Sequence, residues 1–184
     1  MLFLIRIMTA VNVGDVRKHF VVNQRSKDSP NDFDKIKGEV SKLSDEEIKK
    51  EIYKRWAGKE DQANNFFLND ELGWWKTEID ISQIKNPYSD FRKIVTFQPY
   101  TKNPSQILEL LKNADSPTIK NFEDANVEEI KKKLPIFAVN NNGILLVHDG
   151  WFRTLTLAFK NIEKIEAYLT ELNHKNVQPS PDQM

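Results

Sequence analysis

Residues 135–159 have the sequence PIFAVNNNGILLVHDGWFRTLTLAF, in which an Asn-Gly pair separates two apolar runs. Asn142 and Gly143 tolerate the positive φ angles of a tight turn, so the two runs predict a β-hairpin. The second run leads directly into Asp149-Gly150, after which apolar residues recur at helical intervals. A corner between a buried strand and a helix is therefore predicted at Gly150.

Short strands and helices surround this corner in the sequence. Asn103 followed by Pro104 has the pattern of an N-cap with proline at the first helical position, and it predicts a helix. The other elements predicted in this half are a strand at 76–84, an extended piece at 93–100, a helix at 126–134 and a final strand at 162–172. The lysines at 131–133 are expected on the outer face of the helix that contains them.

The first 73 residues are expected to form a mainly helical extension. Ser44 to Glu47 has the spacing of a capping box, and the apolar residues that follow predict a helix that ends near Gly58. Its other face is basic and fits either a solvated surface or one that contacts phosphate. The basic residues are Lys49, Lys50, Lys54 and Arg55. Less regular patterns predict a strand and a short helix at 9–24, a loop at 26–37 and a short helix at 61–69.

Composition limits the classes of protein that this chain fits. Its 27 basic residues balance 27 acidic ones, so binding to nucleic acid would require a local basic patch. Cysteine is absent, which excludes disulfides, thiolate metal sites and cysteine nucleophiles. No apolar stretch approaches the length of a membrane span, about 18 residues. We therefore expect a soluble, cytoplasmic protein with no membrane partner.

The length of 184 residues fits one domain with an extension. The change in texture near Trp74 predicts an N-terminal extension at 1–73 and a domain of alternating strands and helices at 74–172. The polar, proline-containing residues 173–184 are expected to form a flexible tail.

The corner at Gly150 has the elements of an anion site. Glycine lets the backbone come close to a ligand, and the new helix presents unpaired N–H groups and the positive end of its dipole. Arg153, near the end of the first helical turn, could add a bidentate contact to phosphate. The alternative is that Asp149 caps the helix and Arg153 makes a structural salt bridge. His148 fits a structural histidine better than a ligand or a base.

The order of elements in the second half resembles the ParB/sulfiredoxin-like superfamily. The chain has a strand, a proline turn at Asn86-Pro87-Tyr88, two helices, a hairpin, the Asp149-Gly150-x-x-Arg153 corner, a helix and a strand. In the family an acidic or glycine residue, glycine, two variable residues and arginine precede the last helix. The resemblance covers about residues 75–172. It implies an α+β fold in which a small mixed sheet carries short helices.

The resemblance also implies a nucleotide site at the corner, with CTP, ATP or ADP as the candidate ligand. The family binds phosphate at the positions of Gly150 and Arg153. The wider set of candidate binding residues is His148, Gly150, Trp151, Arg153, Thr154 and, after the proline turn, Arg92. If the protein is an enzyme, Asp149 and Arg153 are the candidate catalytic residues, and Asp149 is the candidate ligand for Mg²⁺.

The chain departs from the family at three places. Sulfiredoxins have a cysteine directly after the glycine, and Trp151 in that position excludes their reductase chemistry. Trp151 and Phe152 replace the acidic and basic residues of the CTP-hydrolysing segregation proteins, and they fit either base stacking or an ordinary core. The helix at Pro104 offers Glu109, which would repel phosphate. The other polar residues of that helix are Gln106 and Asn113.

Two functions remain open at this point. The first is binding of a nucleotide or nucleic-acid phosphate at the corner, with phosphoryl-transfer or nuclease activity if a metal ion is recruited. The second is a non-catalytic binding or regulatory module for DNA or protein. In that module residues 44–69 would dock a protein partner.

Overall fold

The computed structural model describes residues 8–29, 32–55, 67–86, 90–91, 95–96, 98–133 and 135–172. The chain divides into two compact units, one formed by residues 10–74 and the other by residues 1–9 together with 75–184. We call them the helical unit and the sheet unit. None of the described helices has both the length and the apolar character that a membrane span requires.

The helical unit contains three described helices. They are α1 at Val13–Asp28, α2 at Phe33–Ser41 and α3 at Asp45–Arg55, and strand β1 at Thr9–Val11 precedes them. The predicted capping box of α3 is present, because Glu47 accepts hydrogen bonds from the Ser44 backbone and hydroxyl at 2.8 Å. The core of this unit is apolar and includes Val16, Phe20, Ile36, Val40, Ile48 and Ile52.

The loop predicted at 26–37 is wrong, and the helix predicted before it is longer than expected. Helix α1 extends for 16 residues to Asp28, and α2 already begins at Phe33. Burial of Ile36 and Val40 stabilises α2 in a segment that otherwise looks polar. Predictions for residues 56–66 lie outside the described residues, and Phe67, in the segment predicted as a short helix at 61–69, is fully buried.

The sheet unit combines strands with helices and short connections. Its strands are β2 at Trp74–Asp80, β3 at Ile84–Lys85, β4 at Asp90–Phe91, β5 at Val95–Thr96, β6 at Ile136–Asn141, β7 at Ile144–Asp149 and β8 at Lys164–Leu172. Its helices are α4 at Pro104–Asn113, α5 at Thr118–Asp124, α6 at Val127–Lys132 and α7 at Trp151–Phe159. A short 3-10 turn at Ile81–Gln83 joins β2 to β3. The sequence did not predict α5.

The main sheet is mixed and has six strands in the order β1-β2-β8-β6-β7-β3. Strand β8 is antiparallel to β2 and parallel to β6, while β6 and β7 form the predicted antiparallel hairpin. Strands β4 and β5 pair separately. The combination of mixed sheet and helices confirms the α+β class.

Local signals in the sequence explain the elements around the corner. The hairpin turn has positive φ at Asn142 (52°) and Gly143 (83°), as an Asn-Gly turn requires. Helix α4 begins with a full capping box between Asn103 and Gln106. Helices α4, α5 and α7 pack against one another and contribute to one apolar core with the sheet. That core includes Ile79, Ile107, Leu111, Phe122, Ile136, Val147 and Leu155.

Candidate functional site

The corner between β7 and α7 depends on Gly150. Its backbone is left-handed, with φ 103° and ψ 14°, and it is the N-cap residue of α7. A Cβ built on this glycine would lie 2.5 Å from Cγ2 of Ile136 and 3.0 Å from Nη2 of Arg153. Because glycine has no side chain, both Ile136 and the guanidinium of Arg153 can lie close to the turn.

Arg153 already has two acceptors in the protein. Its Nη2 atom donates to Oδ2 of Asp149 at 2.8 Å, and its Nη1 atom donates to the carbonyl oxygen of Lys133. The Arg153 side chain is 13% exposed and that of Asp149 is 12% exposed. The structure thus brings Asp149, Gly150 and Arg153 together and contains the salt bridge that the sequence left open as an alternative.

The electrostatics of this pair limit its attraction for anions. Burial lowers the pKa of Arg153, and the negative charge of Asp149 opposes that effect. The guanidinium stays protonated, because an arginine side chain does not lose its proton in a protein. Because Asp149 balances its charge, an incoming phosphate would also depend on the N-terminal amides of α7.

Asp149 and Thr154 form hydrogen bonds within the corner. Gly150 has no side chain with which to cap α7, and the Asp149 carboxylate accepts a hydrogen bond from Nη2 of Arg153. The hydroxyl of Thr154 donates to the carbonyl oxygen of Gly150 at 3.0 Å, and the backbone N–H of Thr154 donates to the same oxygen at 2.9 Å. Thr154 is fully buried. It stabilises the first turn of α7.

The two aromatic residues after Gly150 have different environments. Trp151 is 9% exposed and belongs to the core, so its ring would have to leave the core to stack on a base. Phe152 is 36% exposed, and its ring centroid lies 5.0 Å from that of Phe122. Phe152 is therefore the aromatic side chain that this corner presents at the surface.

The remaining candidate residues lie on β7, on α4 or outside the described residues. His148 is half-buried on β7. Arg92 lies outside the described residues, as do Pro87 and Tyr88 of the proline turn. On α4, Glu109 is exposed. The Oε1 atom of Gln106 accepts from the backbone N–H of Asn103 at 3.0 Å, which assigns this amide to the capping box.

Asn86 has a structural role that the sequence indicated only as turn chemistry. It is fully buried, and its side chain donates to the carbonyl oxygen of Gln98 at 3.2 Å and accepts from the Lys102 N–H at 2.7 Å. Its backbone bonds to Tyr100 and Lys102, both at 2.8 Å. Asn86 therefore fixes residues 98–102 just before α4 begins. A lone asparagine before proline is too common in turns to have revealed this.

The described side chains at the corner do not by themselves provide a set of ligands for magnesium. The described residues contain no cluster of three or more His, Asp or Glu side chains that would suit a metal ion. Asp149, the predicted ligand, lies beside a guanidinium that would repel a cation. Magnesium at this corner would therefore need phosphate oxygens and water as most of its ligands.

Three lysines of the basic surfaces predicted from the sequence pair with nearby carboxylates. Lys131 pairs with Glu128 at 2.9 Å and Lys132 pairs with Glu129 at 2.7 Å on α6. On α3, Lys49 is 3.2 Å from Asp45 and 3.0 Å from Asp70. These pairs reduce the local excess of positive charge that a nucleic-acid contact would use. The side chain of Arg55 lies outside the part of the chain that the structure describes.

The helical unit contains a buried arginine that sequence reasoning missed. Arg17 is 1% exposed, and its Nε atom donates to the carbonyl oxygen of Phe67. Its guanidinium also lies 3.3 Å from Asp45 and 2.6 Å from Asp70. Arg17 stands one position after Val16 and three before Phe20, and this place on an apolar face was the available signal.

The comparisons with known proteins add no family. No protein-family model, no curated protein and no solved structure matches this chain. The ParB/sulfiredoxin-like resemblance therefore rests on the order of elements in the sequence and on the Asp149-Gly150-x-x-Arg153 corner.

Proposed function

We propose that this chain is a ParB/sulfiredoxin-like domain that binds the phosphate of a nucleotide or nucleic acid at the corner between β7 and α7. One observation carries the proposal. The left-handed Gly150, the first turn of α7 and the guanidinium of Arg153 adjoin one another, with Nη2 3.0 Å from the position of a Cβ on Gly150. Helix N-terminal amides and a guanidinium are the groups that proteins most often direct at phosphate.

These residues support phosphate binding more strongly than a catalytic reaction. A phosphate offers several charged oxygens, and charge-assisted bonds to Arg153 are stronger than its bond to a neutral carbonyl. The hydroxyl of Thr154 is directed to the Gly150 carbonyl and so is not placed as an attacking group. Phosphoryl transfer or nuclease cleavage would also require a divalent ion, for which Asp149 is the carboxylate at the corner.

Thermal unfolding with CTP, ATP and ADP, each with and without Mg²⁺, tests the proposal. A ligand at a hundred times its Kd stabilises the folded protein by about 2.7 kcal/mol, which is a measurable rise in Tm. Arg153→Ala should abolish the rise. The matched control is Arg25→Ala, which removes a partly buried arginine that lies 3.4 Å from Glu51 in the helical unit. If no nucleotide raises the Tm of the wild-type chain, the nucleotide proposal fails.

A second candidate is a non-catalytic module that interacts with DNA or protein. The contacts of Arg153 favour it, because each terminal nitrogen of the guanidinium already donates a hydrogen bond within the protein, one to Asp149 and one to the Lys133 carbonyl. Packing of Ile136 against Gly150 likewise accounts for the glycine without a ligand. If the protein is such a module, Arg153→Ala should lower the Tm, and nucleotides should leave the Tm of both the wild-type and the variant protein unchanged.

DNA binding by the module has its own test. Affinity should fall steeply as salt is added if lysines contact phosphates. Reversing the charges of Lys131 and Lys132 should weaken DNA binding and reduce its salt dependence. Equal binding by the wild-type and reversed proteins would exclude α6 as the DNA-binding surface.

A further inference from the structure

Helix α6 is a surface helix with few contacts to hold it. It comprises Val127–Lys132 and has no fully buried side chain, and only Val127 and Ile130 pack partly against the core. Its ion pairs, Glu128 with Lys131 and Glu129 with Lys132, join residues of the same helix. These pairs stabilise the helical conformation, but they do not attach α6 to the sheet.

The C-terminal end of α6 is held by Arg153. The carbonyl oxygen of Lys133, the C-cap residue of α6, accepts a hydrogen bond from Nη1 of Arg153. The last carbonyls of a helix have no partner within the helix, so a cation that donates to one of them stabilises that end. A residue of the proposed phosphate site is thus also a cap for a neighbouring helix.

Phosphate and Lys133 compete for the same guanidinium. A bidentate contact to phosphate uses two parallel N–H groups, and Nη2 already donates to Asp149 at 2.8 Å. The bond to Lys133 is the weaker of the two existing bonds, because its acceptor is neutral whereas the carboxylate is charged. Phosphate should therefore displace the Lys133 carbonyl first.

We propose that phosphate binding at the corner moves Nη1 of Arg153 from the Lys133 carbonyl to the ligand and so loosens the C-terminal end of α6. The inference rests on the proposed function and adds a regulatory consequence to it. Ligand occupancy would then be reported at a surface helix through a single shared side chain.

Linkage makes this inference testable from both directions. If phosphate binding costs less when α6 is loosely attached, then a change that weakens α6 in the free protein should strengthen phosphate binding. Asn126 caps α6 by accepting from the backbone N–H groups of Glu128 at 2.9 Å and Glu129 at 3.4 Å. Asn126→Ala removes that cap without touching the corner.

The experiment combines hydrogen exchange with affinity measurements on the full chain. Titration with inorganic phosphate, and separately with CTP, should increase amide exchange in residues 126–133 of the wild-type protein and decrease it at the start of α7. Asn126→Ala should lower the Kd for the same ligand several-fold. Ser44→Ala is the matched control, because it removes an N-cap from α3 in the helical unit, and it should leave the Kd unchanged.

The outcomes separate this inference from the proposed function. If the ligand binds but exchange in residues 126–133 stays constant or decreases, the inference is overturned and the phosphate site stands. If neither ligand binds the wild-type chain, both are overturned. The exchange measurement needs no variant, so it decides the question even if Asn126→Ala does not fold.

Discussion

Gly150 is the residue on which the geometry of the corner depends. Gly150→Ala should destabilise the protein by about 2–4 kcal/mol, since a left-handed non-glycine residue costs about 1–2 kcal/mol and overpacking adds a similar amount. The overpacking follows from the 2.5 Å separation between the new Cβ and Cγ2 of Ile136. Urea unfolding of wild type and variant measures the difference.

Gly38 provides the matched comparison for that substitution. It lies within α2, and a Cβ added there would meet no atom within 4 Å. Gly38→Ala should therefore stabilise the protein by about 0.5–1 kcal/mol, because alanine favours a helix interior. A similar loss of stability in both variants would contradict the account given for Gly150.

Asp70 should make stability sensitive to acid. Hydrogen bonds from Arg17 and then from Lys49 lower the pKa of Asp70 in the folded protein. Its contribution is therefore fully present above the unfolded pKa of about 3.9, and it is lost as the pH falls through the lower folded value. Asp70→Asn should unfold more easily near neutral pH, with a smaller further loss of stability at acid pH.

Urea unfolding at a series of pH values measures the effect at Asp70. Asp124→Asn is the control, because it removes an exposed carboxylate that lies 3.4 Å from Lys120 on the same helix. That control should keep the acid dependence of the wild type. Parallel stability profiles for Asp70→Asn and wild type across the acid range would refute the role given to Asp70.

At the level of single elements, α4 depends on its capping box. Asn103→Ala removes an acceptor that bonds the Gln106 N–H at 3.0 Å, and it should cost about 1 kcal/mol. Ser105→Ala, at an exposed position in the same turn, should change the free energy of unfolding by less than about 0.5 kcal/mol. Urea denaturation measures the free energy of unfolding of both variants. An equal loss in the two would contradict a stabilising role for the Asn103 cap.

Elements with a strong local signal were the ones that the sequence predicted. The hairpin, α4 and α7 follow from Asn-Gly, Asn-Pro and the glycine corner, each of which acts over a few residues. Helix α2 was missed because Pro30 and the polar residues around it dominate the pattern, while two buried side chains hold the helix in place. Helix α5 was missed because Phe122 is its one fully buried apolar side chain.

The same limit applies to the candidate site. Asp149, Gly150 and Arg153 could be placed together from the sequence because one helical turn joins them. The bond from Arg153 to Lys133 spans 20 residues, and the bond from Arg17 to Phe67 spans 50. Contacts of that kind depend on tertiary packing, which no local pattern encodes.

For the whole molecule, the division into two units predicts that damage in one stays local. Arg17→Ala leaves the carbonyl of Phe67 without its donor and deletes a buried stem, so the helical unit should lose about 2–4 kcal/mol. Hydrogen exchange should then rise across α1 and α3. The amides of β6 and β7 should keep their wild-type protection, and a comparable rise there would show that the units unfold together.

The position of β8 has a consequence for the order in which the chain becomes structured during synthesis. This strand lies between β2 and β6, although it follows both in the chain. Strand β2 can pair with β1, and β6 with β7, before that, but neither gains β8 until the ribosome has delivered residues up to about Leu172. Helices α1–α3 can assemble as soon as they emerge. Until β8 arrives, β2 and β6 each have an unpaired edge, and unpaired edges can associate with other chains. A chaperone would therefore protect the nascent chain most during this interval.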